Sequence, residues 1–576
     1  MAVEVERGTG TKTITALARR AAERTGTAYL VERDGAWEEV SWPDVATAID
    51  ETANGLLGLG VRKGDAFGIL GRTTLEWALF DFALGTIGAI GVGIYPSLPP
   101  GDVAYVLDHS DSVGVLVENV EQGTKIDAER GNLPKLQHVV SFGQLDELRA
   151  RGRDFARENP HALEEARAAV GEHDVFTYIY TSGTTGPPKG CMISHRNYYS
   201  MVGCVDDVPG FIGADDLILL YLPLAHNFGR CLHLLAAYVG CAIAFCPDPL
   251  RVGDVAADVK PTVLPSVPRV YEKVHSAVQA SFDEATGVKR KLIEWALRVG
   301  ARVSELRQRG QAVPAGLAAQ HRLADKLVYS KVKARLGGRL RLPISGGAPL
   351  AKEIAEFFHT IDILICEGYG QTECTTASNV NMPTRFRFGT VGPAIPGIEV
   401  RTDADGEILV RGPNVFGGYY KDPEATREVL DDDGWLRTGD VGFIEDGFLT
   451  ITDRKKDIIV TAGGKNVSPQ NIENELKASK YVSQALVIGD RRPYLTALIT
   501  LDEAAKGLSD PHGIVQEVVD EVNADKASFE QVKRFVVLDR DFSAEHDEVT
   551  PTLKLRRRVC EQHFATEIED LYAHPR

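Results

Sequence analysis

The 576-residue chain has only eight cysteines, scattered at 191, 204, 231, 241, 246, 366, 374 and 560, with no Cys-x-x-Cys and no paired Cys/His spacing. That pattern offers no zinc site and argues against a disulfide scaffold, which points to a reducing compartment. Long apolar runs are missing too. Trp77–Pro96 carries Asp81 and several glycines, and Leu232–Cys246 is shorter than the ~20 apolar residues of a membrane span. Both read as buried helix-into-strand segments. The opening MAVEVERGTG is polar and mixed in charge, without the apolar centre of a secretory signal. The expectation is a soluble, cytoplasmic protein. An excess of basic charge is also lacking: 64 Lys+Arg stand against 81 Asp+Glu, a formal net charge of −17. Such a chain does not coat nucleic acid, although a local pocket for a small polyanion remains open to it.

What is present is an ordinary globular composition, 44% hydrophobic and 25% charged, in a chain too long for one core. Short β-rich runs alternate with longer amphipathic stretches, the pattern of α/β layers. Candidate strands are Phe67–Leu70, Gly91–Tyr95, Val113–Val117, Phe176–Tyr180, Leu217–Leu222, Ala242–Phe245 and Ile363–Cys366; candidate helices include Trp42–Leu59 and Val288–Arg309. The polar, Gln/Arg/Ala-rich helical stretch Arg307–Asp325, with Gly310 and Pro314, reads as a surface excursion. Asp-Gly turns at 405, 433 and 446 mark hairpins of a small β-subdomain over Gly406–Thr452. A compact α+β pattern follows: Ile458–Thr461, a helix over Ser468–Ser479, Ala485–Ile488, Tyr494–Leu501, a helix from Gly513, and Phe535–Leu538. The expected organisation is a body over 1–452, built of layered sheets and helices plus the β-subdomain, a hinge at 453–457, and a small mobile α+β domain over 458–576.

The most informative string is YTSGTTGPPKG, Tyr180–Gly190, directly after an apolar strand. Glycines and small hydroxyl residues let the backbone curl around an anion, and Lys189 adds a compact positive charge. The glycine and lysine spacing is not that of a Walker A loop. A Gly/Thr-rich surface loop is the bland alternative, and the whole string together weighs against it. EGYGQTECT at Glu367–Thr375 places an aromatic face beside a hard carboxylate, suited to a base and to magnesium. WLRTGDVG at Trp435–Gly442 offers Asp440, whose lone pairs suit a vicinal diol.

These strings, in this order, resemble the adenylate-forming enzymes: acyl- and aryl-CoA synthetases, peptide-synthetase adenylation domains and luciferases. The likeness is greatest to AMP-forming long-chain fatty acyl-CoA synthetases. It implies that Thr181, Ser182, Gly183, Thr184, Thr185, Gly186 and Lys189 hold ATP phosphates. In SGGAPL, the backbone of Gly347, Ala348 and Pro349 would lie along adenine; in EGYGQTECT, Gly368, Tyr369, Gly370 and Thr372 would surround the nucleotide, Tyr369 stacking on the base and Thr372 touching the α-phosphate. Thr181 and Glu373 would hold Mg²⁺. Asp440 and Arg454 would take the ribose. LPLAHNFGR implies a gating His226 beside the acyl pocket. SVPRVYEKV at Ser266–Val274 resembles a stretch typical of the long-chain members. In DRKKDIIVTAGGKNVSP, Lys456 takes the hinge position, and Gly463, Gly464 and Lys465 would line a coenzyme A channel. EVTPTLKLRRR at Glu548–Arg558 matches the closing motif, with Lys554 as the catalytic lysine of adenylation, while a basic face is the ordinary reading of the arginines. Gln371 departs from the hydrophobic residue frequent in long-chain members, and Cys374 is also less usual.

The implied reaction has two steps. A fatty acid carboxylate attacks the α-phosphorus of Mg·ATP to give acyl-adenylate and pyrophosphate, and coenzyme A then takes the acyl group and releases AMP. Lys189, Lys554 and Mg²⁺ would bring the two anions together, and rotation about Lys456 would exchange Lys554 for the glycine loop between steps. The alternatives are an acyl-AMP ligase serving a carrier protein, a coenzyme A ligase for an aromatic or shorter acid, and a non-catalytic nucleotide-binding protein. The expected partners are therefore small molecules and not nucleic acid. Loose contact with a membrane surface is compatible with a fatty substrate, and the sequence leaves the oligomeric state open.

Overall fold

A computed structural model describes residues 12–181, 187–502, 505, 508–543, 545–550 and 555–573. Two sheets organise the body. In the six-stranded one the order is His138–Ser141, Gly114–Val117, Ala66–Leu70, Ile90–Ile94, Val175–Thr181 and Lys189–Ser194. All its pairings are parallel except the last, where Thr181 stands opposite Lys189. The eight-stranded sheet has a parallel centre of Leu342–Ser345, Val263–Ser266, Leu217–Leu220 and Ala242–Phe245, and Cys366–Tyr369 joins it beside Leu342–Ser345. One apolar cluster joins both sheets through helices Trp42–Gly58, Leu75–Thr86, His195–Gly203 and Asn227–Val239. Covering both faces of parallel strands in this way explains why those strands read as continuous apolar runs.

The apolar stretch Trp77–Pro96 is accordingly an interior helix and strand, and no helix among the described residues is long and apolar enough to cross a membrane. Asp81, which made the stretch a poor span, lies wholly buried against Arg230 of helix Asn227–Val239, whose Nε donates to Asp81 Oδ2 at 2.9 Å. The guanidinium also donates to Thr177 Oγ1 and lies over the rings of Trp77 and Phe176. A side chain at Gly91 would collide with both members of the pair, so the strand needs glycine there. Removing one partner of such a pair strands the other charge, a cost of about 3–5 kcal/mol. The pair pins the start of helix Asn227–Val239 to the body, and with it His226 and Asn227.

Turn signals between 399 and 454 do form an antiparallel meander, Glu399–Thr402, Glu407–Arg411, Leu436–Glu445 and Phe448–Arg454. The last strand includes Asp453 and Arg454, so two residues expected in the hinge belong to this sheet. The turn itself is closed by Asp457 and Ile458 N–H donating to Arg454 O at 2.9 and 3.1 Å. Beyond it, Val482–Ile488, Leu495–Leu501 and Val532–Val537 form a three-stranded sheet with its own apolar clusters.

One strand is shifted from expectation. It is Cys366–Tyr369 rather than Ile363–Cys366: Ile363 and Ile365 are buried but precede the ladder. The helical excursion Arg307–Asp325 does carry helix Ala315–Ala324, followed by a wider turn at Asp325–Tyr329 whose Tyr329 is fully buried and donates to Ala296 O.

Candidate active site

The strand ends and loops above converge on one cavity of about 1860 Å³ between the body and the small domain. Strand Val175–Thr181 delivers Thr181 to its wall, and the antiparallel return brings Lys189 beside it. Ser182, Gly183, Thr184, Thr185 and Gly186 lie outside the described residues. Lys189 Nζ stands 3.5 Å from Asp422 and over the Tyr419 ring, while the Tyr419 hydroxyl donates to Glu373 Oε1 at 2.8 Å. One phenol thus joins the lysine to the carboxylate expected to hold metal.

A second group centres on Asp440, buried in strand Leu436–Glu445. Its Oδ2 accepts from Tyr369 Oη and from Gln371 Nε2, each at 2.6 Å, and Oδ1 faces Arg454 Nε at 3.2 Å. Cross-strand pairing of Asp440 with Arg454 sets the last contact. Gln371 Nε2 also donates to Thr438 O at 2.8 Å. The residue that departs from the long-chain pattern is therefore engaged with the carboxylate expected at the ribose.

Tyr369 differs from expectation. Its ring is buried and its hydroxyl is tied to Asp440, and the cavity wall at this point is made by Gly368, Gly370, Gln371, Thr372 and Glu373. A buried phenol seeks an acceptor, and the carboxylate on the neighbouring four-stranded meander provides it. In the SGGAPL loop the wall is formed by Ser345, Gly346 and Gly347, the last with a φ of +86° that suits glycine, while Ala348 and Pro349 stand off it. His226 caps helix Asn227–Val239, its Nδ1 accepting from Phe228 N–H at 3.2 Å, and faces the cavity with Asn227 and Phe228. Asn227 Nδ2 donates to Thr372 O at 3.1 Å, linking the two motifs.

Past His226 the cavity turns apolar, between Met201, Val205, Val208, Phe211, Leu232 and Leu235. On the small-domain side its wall includes Thr550, Leu555 and Arg556; Lys554, between them in sequence, lies outside the described residues. Lys456 is exposed and on the cavity rim. Gly463, Gly464 and Lys465 form an exposed turn between Ile459–Val460 and Asn466–Val467, away from the cavity. The closing motif, not the glycine loop, faces the cleft in this arrangement.

Sequence reasoning missed Tyr419 and Asp422, whose only signal was the aromatic, glycine-rich FGGYYKDP string between hairpins. It also passed over Arg557, which donates to Val487 O and to Glu473 Oε1, each at 2.7 Å, and so holds the closing motif to the small domain instead of forming a solvated basic face.

A family model described as AMP-binding enzyme matches residues 17–420, and one described as AMP-binding enzyme C-terminal domain matches 456–576. This chain belongs to the AMP-binding, adenylate-forming enzyme family. It is 37% identical to the long-chain-fatty-acid–CoA ligase FadD15 of Mycobacterium bovis, across 96% of this chain and 95% of that protein. Against the mouse long-chain-fatty-acid–CoA ligase 6 identity is 32%, over 93% and 83% of the two chains. Among solved structures, an anthranilate CoA ligase, AuaEII, bound to anthranoyl-AMP superposes with TM-score 0.76 at 22% identity, covering 97% of this chain and 98% of that one. A fatty acyl CoA synthetase of Mycobacterium tuberculosis gives 0.64 at 22%, over 96% and 99%. At such identities the structural likeness establishes the shared fold.

Proposed function

We propose that this AMP-binding enzyme joins a long-chain fatty acid to coenzyme A through an acyl-adenylate, releasing AMP and pyrophosphate. The observation that carries the reading is the two-ended cavity. Asp440, Thr372, Glu373 and Lys189 surround its polar end, and beyond His226 an apolar branch runs between Met201 and Leu235. A fatty acid placed with its chain in that branch presents its carboxylate at the polar end. Burying its methylenes there is favourable by about 0.8 kcal/mol each.

At the polar end, Asp440 and Arg454 are assigned to the ribose, and Thr372, Thr181 and Lys189 to phosphate oxygens. Glu373 and Thr181 suit Mg²⁺, which takes one or two hard oxygen ligands from a protein and the rest from phosphates and water. No group of three His, Cys, Asp or Glu among the described residues could hold a metal unaided, which fits an ion that arrives with ATP. That ion would supply charge neutralisation on the phosphates. Lys189, carried on a strand and braced by Asp422 and Tyr419, adds fixed positive charge where two anions must approach. Lys554 is assigned to the same task from the small domain. His226, held by its cap bond at the mouth of the apolar branch, closes that branch off from water and protects the mixed anhydride. The second step then needs the glycine loop Gly463–Lys465, now exposed, to replace the closing motif at the cleft. All eight cysteines are free, which supports a reducing compartment such as the cytoplasm.

The test is AMP formation from ATP across fatty acids of graded length and a set of aromatic acids, with and without coenzyme A. Turnover that needs coenzyme A and rises with alkyl length is expected. Preference for an aromatic acid, or full turnover without coenzyme A, would overturn the proposal.

A further inference from the structure

Arg269 belongs to SVPRVYEKV, a string that the site described above leaves unused. It stands in the first turn of helix Pro268–Asp283, on the body, and does not line the cavity. Its guanidinium reaches the small domain: Nη1 donates to Ser483 O at 3.0 Å, Nη2 to Ser483 Oγ at 2.7 Å, and Nη2 lies 3.4 Å from Asp502 Oδ2. Glu272, one turn on and itself buried, stands 3.5 Å from the same guanidinium and steadies it from the body side. The side chain is only 15% exposed. At the far end of this helix Asp283 pairs with Lys480, giving a second polar contact between the same two parts.

The contact continues to the cleft. Ser483 Oγ accepts from Arg269 and donates to Asp541 Oδ2 at 2.5 Å, while Thr500 Oγ1 donates to Asp541 Oδ1 at 2.7 Å. Asp541 opens the segment that carries the closing motif. Buried Glu548 ties that segment together: Arg540 donates to both its oxygens at 2.6 Å, Ser543 N–H to Oε2 at 3.1 Å, and Arg556 N–H to its carbonyl at 2.8 Å. Asp547, Thr550, Leu555, Arg556, Arg557 and Arg558 of this segment line the cavity wall. A continuous polar chain therefore runs from a body helix, through Ser483 and Asp541, to the loop that faces the cleft.

We propose that Arg269 is a positioning residue for adenylation: its fork on Ser483 and Asp502 latches the small domain with the closing motif over the cavity. This rests on the two-step reading above. A latch of this kind suits a contact that must be released each turnover. Ionic and polar groups at a partly solvated boundary regain water when it opens, so holding and releasing differ by little free energy. A planar, five-donor guanidinium fits the three acceptors at once, whereas an ammonium is a point charge.

The experiment reads the two half-reactions apart in Arg269→Ala and Arg269→Lys: pyrophosphate exchange into ATP with dodecanoate, and thioester formation from supplied dodecanoyl-adenylate and coenzyme A. Arg269→Ala should lower exchange by about tenfold or more, the scale of one lost hydrogen bond from a charged group, and leave thioester formation unchanged or faster. Arg269→Lys should fall between it and the parent. Lys554→Ala serves as the benchmark for a split between the half-reactions. If Lys554→Ala splits them and Arg269→Ala lowers both equally or neither, the latch is wrong and the two-step reading survives. If Lys554→Ala shows no split, the reading beneath it fails. Should Arg269→Ala not fold, Ser483→Ala interrupts the same chain and must show the same split in smaller measure, or the proposal is overturned.

Discussion

Replacing Asp440 by Asn changes one atom and tests the ribose assignment without opening a hole. Two donors already converge on Oδ2, Tyr369 Oη and Gln371 Nε2 at 2.6 Å each, whereas Oδ1 has Arg454 Nε at 3.2 Å. An asparagine will therefore keep its oxygen at the Oδ2 position and turn its NH₂ toward Arg454, donor against donor. The fold keeps its buried bonds; the ribose loses its anionic acceptor. A hydrogen bond to a charged group contributes roughly 1.5–3 kcal/mol and a neutral one roughly 0.5–1.5 kcal/mol. The loss is thus about 1–2 kcal/mol for each ribose hydroxyl that Asp440 accepts, and KM for ATP should rise ~10- to 100-fold. The assay is AMP release at saturating acid and coenzyme A, with ATP, 2′-deoxyATP and 3′-deoxyATP compared. In the parent each missing hydroxyl should cost affinity; in Asp440→Asn that penalty should shrink by about the same 1–2 kcal/mol. An unchanged KM, or a deoxy penalty as large as the parent's, would refute the assignment. A thermal melt within a few degrees of the parent shows that the Tyr369 and Gln371 bonds survive.

Two further outcomes follow, one from a buried carboxyl preceding Gly368 on the cavity wall and one from the apolar branch. Burial pushes the Glu367 carboxyl up from an ordinary 4.5 to about 7, with only the Leu350 N–H opposing. Because the raised value belongs to the folded state, the associated stability is complete below pH 4.5 and is lost as pH rises through about 7, roughly 3 kcal/mol in all. Glu367→Gln, which still accepts from Leu350, should flatten that part of the pH–stability curve in urea melts; an unaltered profile would show that Glu367 ionises as it would in water. In the apolar branch, Val205→Phe should move the optimum toward shorter acids. Blocking four methylenes would cost the longest chains about 3 kcal/mol, and a chain-length profile identical to the parent's would exclude Val205 from the acyl path.

The site was legible where chemistry depends on a contiguous string. Thr181, Lys189, Gly347, Thr372, Glu373, Asp440, Arg454 and His226 all meet on one cavity: Thr181 and Arg454 close strands, His226 caps a helix, Gly347, Thr372 and Glu373 sit on the loops that follow strands, and Lys189 and Asp440 are carried on strands themselves. What could not be read was pairing between strings. Nothing in EGYGQTECT says that Tyr369 and Gln371 will both be spent on Asp440, about seventy residues on; that follows from bringing the strand Cys366–Tyr369 against the meander, a tertiary event. Asp81 shows the same limit from the other side. Alone it is a flaw in an apolar run, and only the approach of Arg230, 149 positions later, makes it an interior anchor.

The arginines of the closing motif sharpen the point. LKLRRR reads as a basic face because sequence periodicity cannot distinguish a solvated guanidinium from one with a buried acceptor. In the fold Arg557 is fixed by Glu473 and Val487 within the small domain, Arg556 by Asp547, and Arg269 on the body reaches across to Ser483. Each thus has its own acceptor: Arg556 closes the segment on itself, Arg557 binds it to the domain that carries it, and Arg269 binds that domain to the body. Under the proposed alternation only the last of these bonds has to break. A domain that moves as a unit needs strong internal bonds and a weak external one, and the arginines are distributed that way. Losing Arg557 would then damage both half-reactions together, whereas losing Arg269 should separate them.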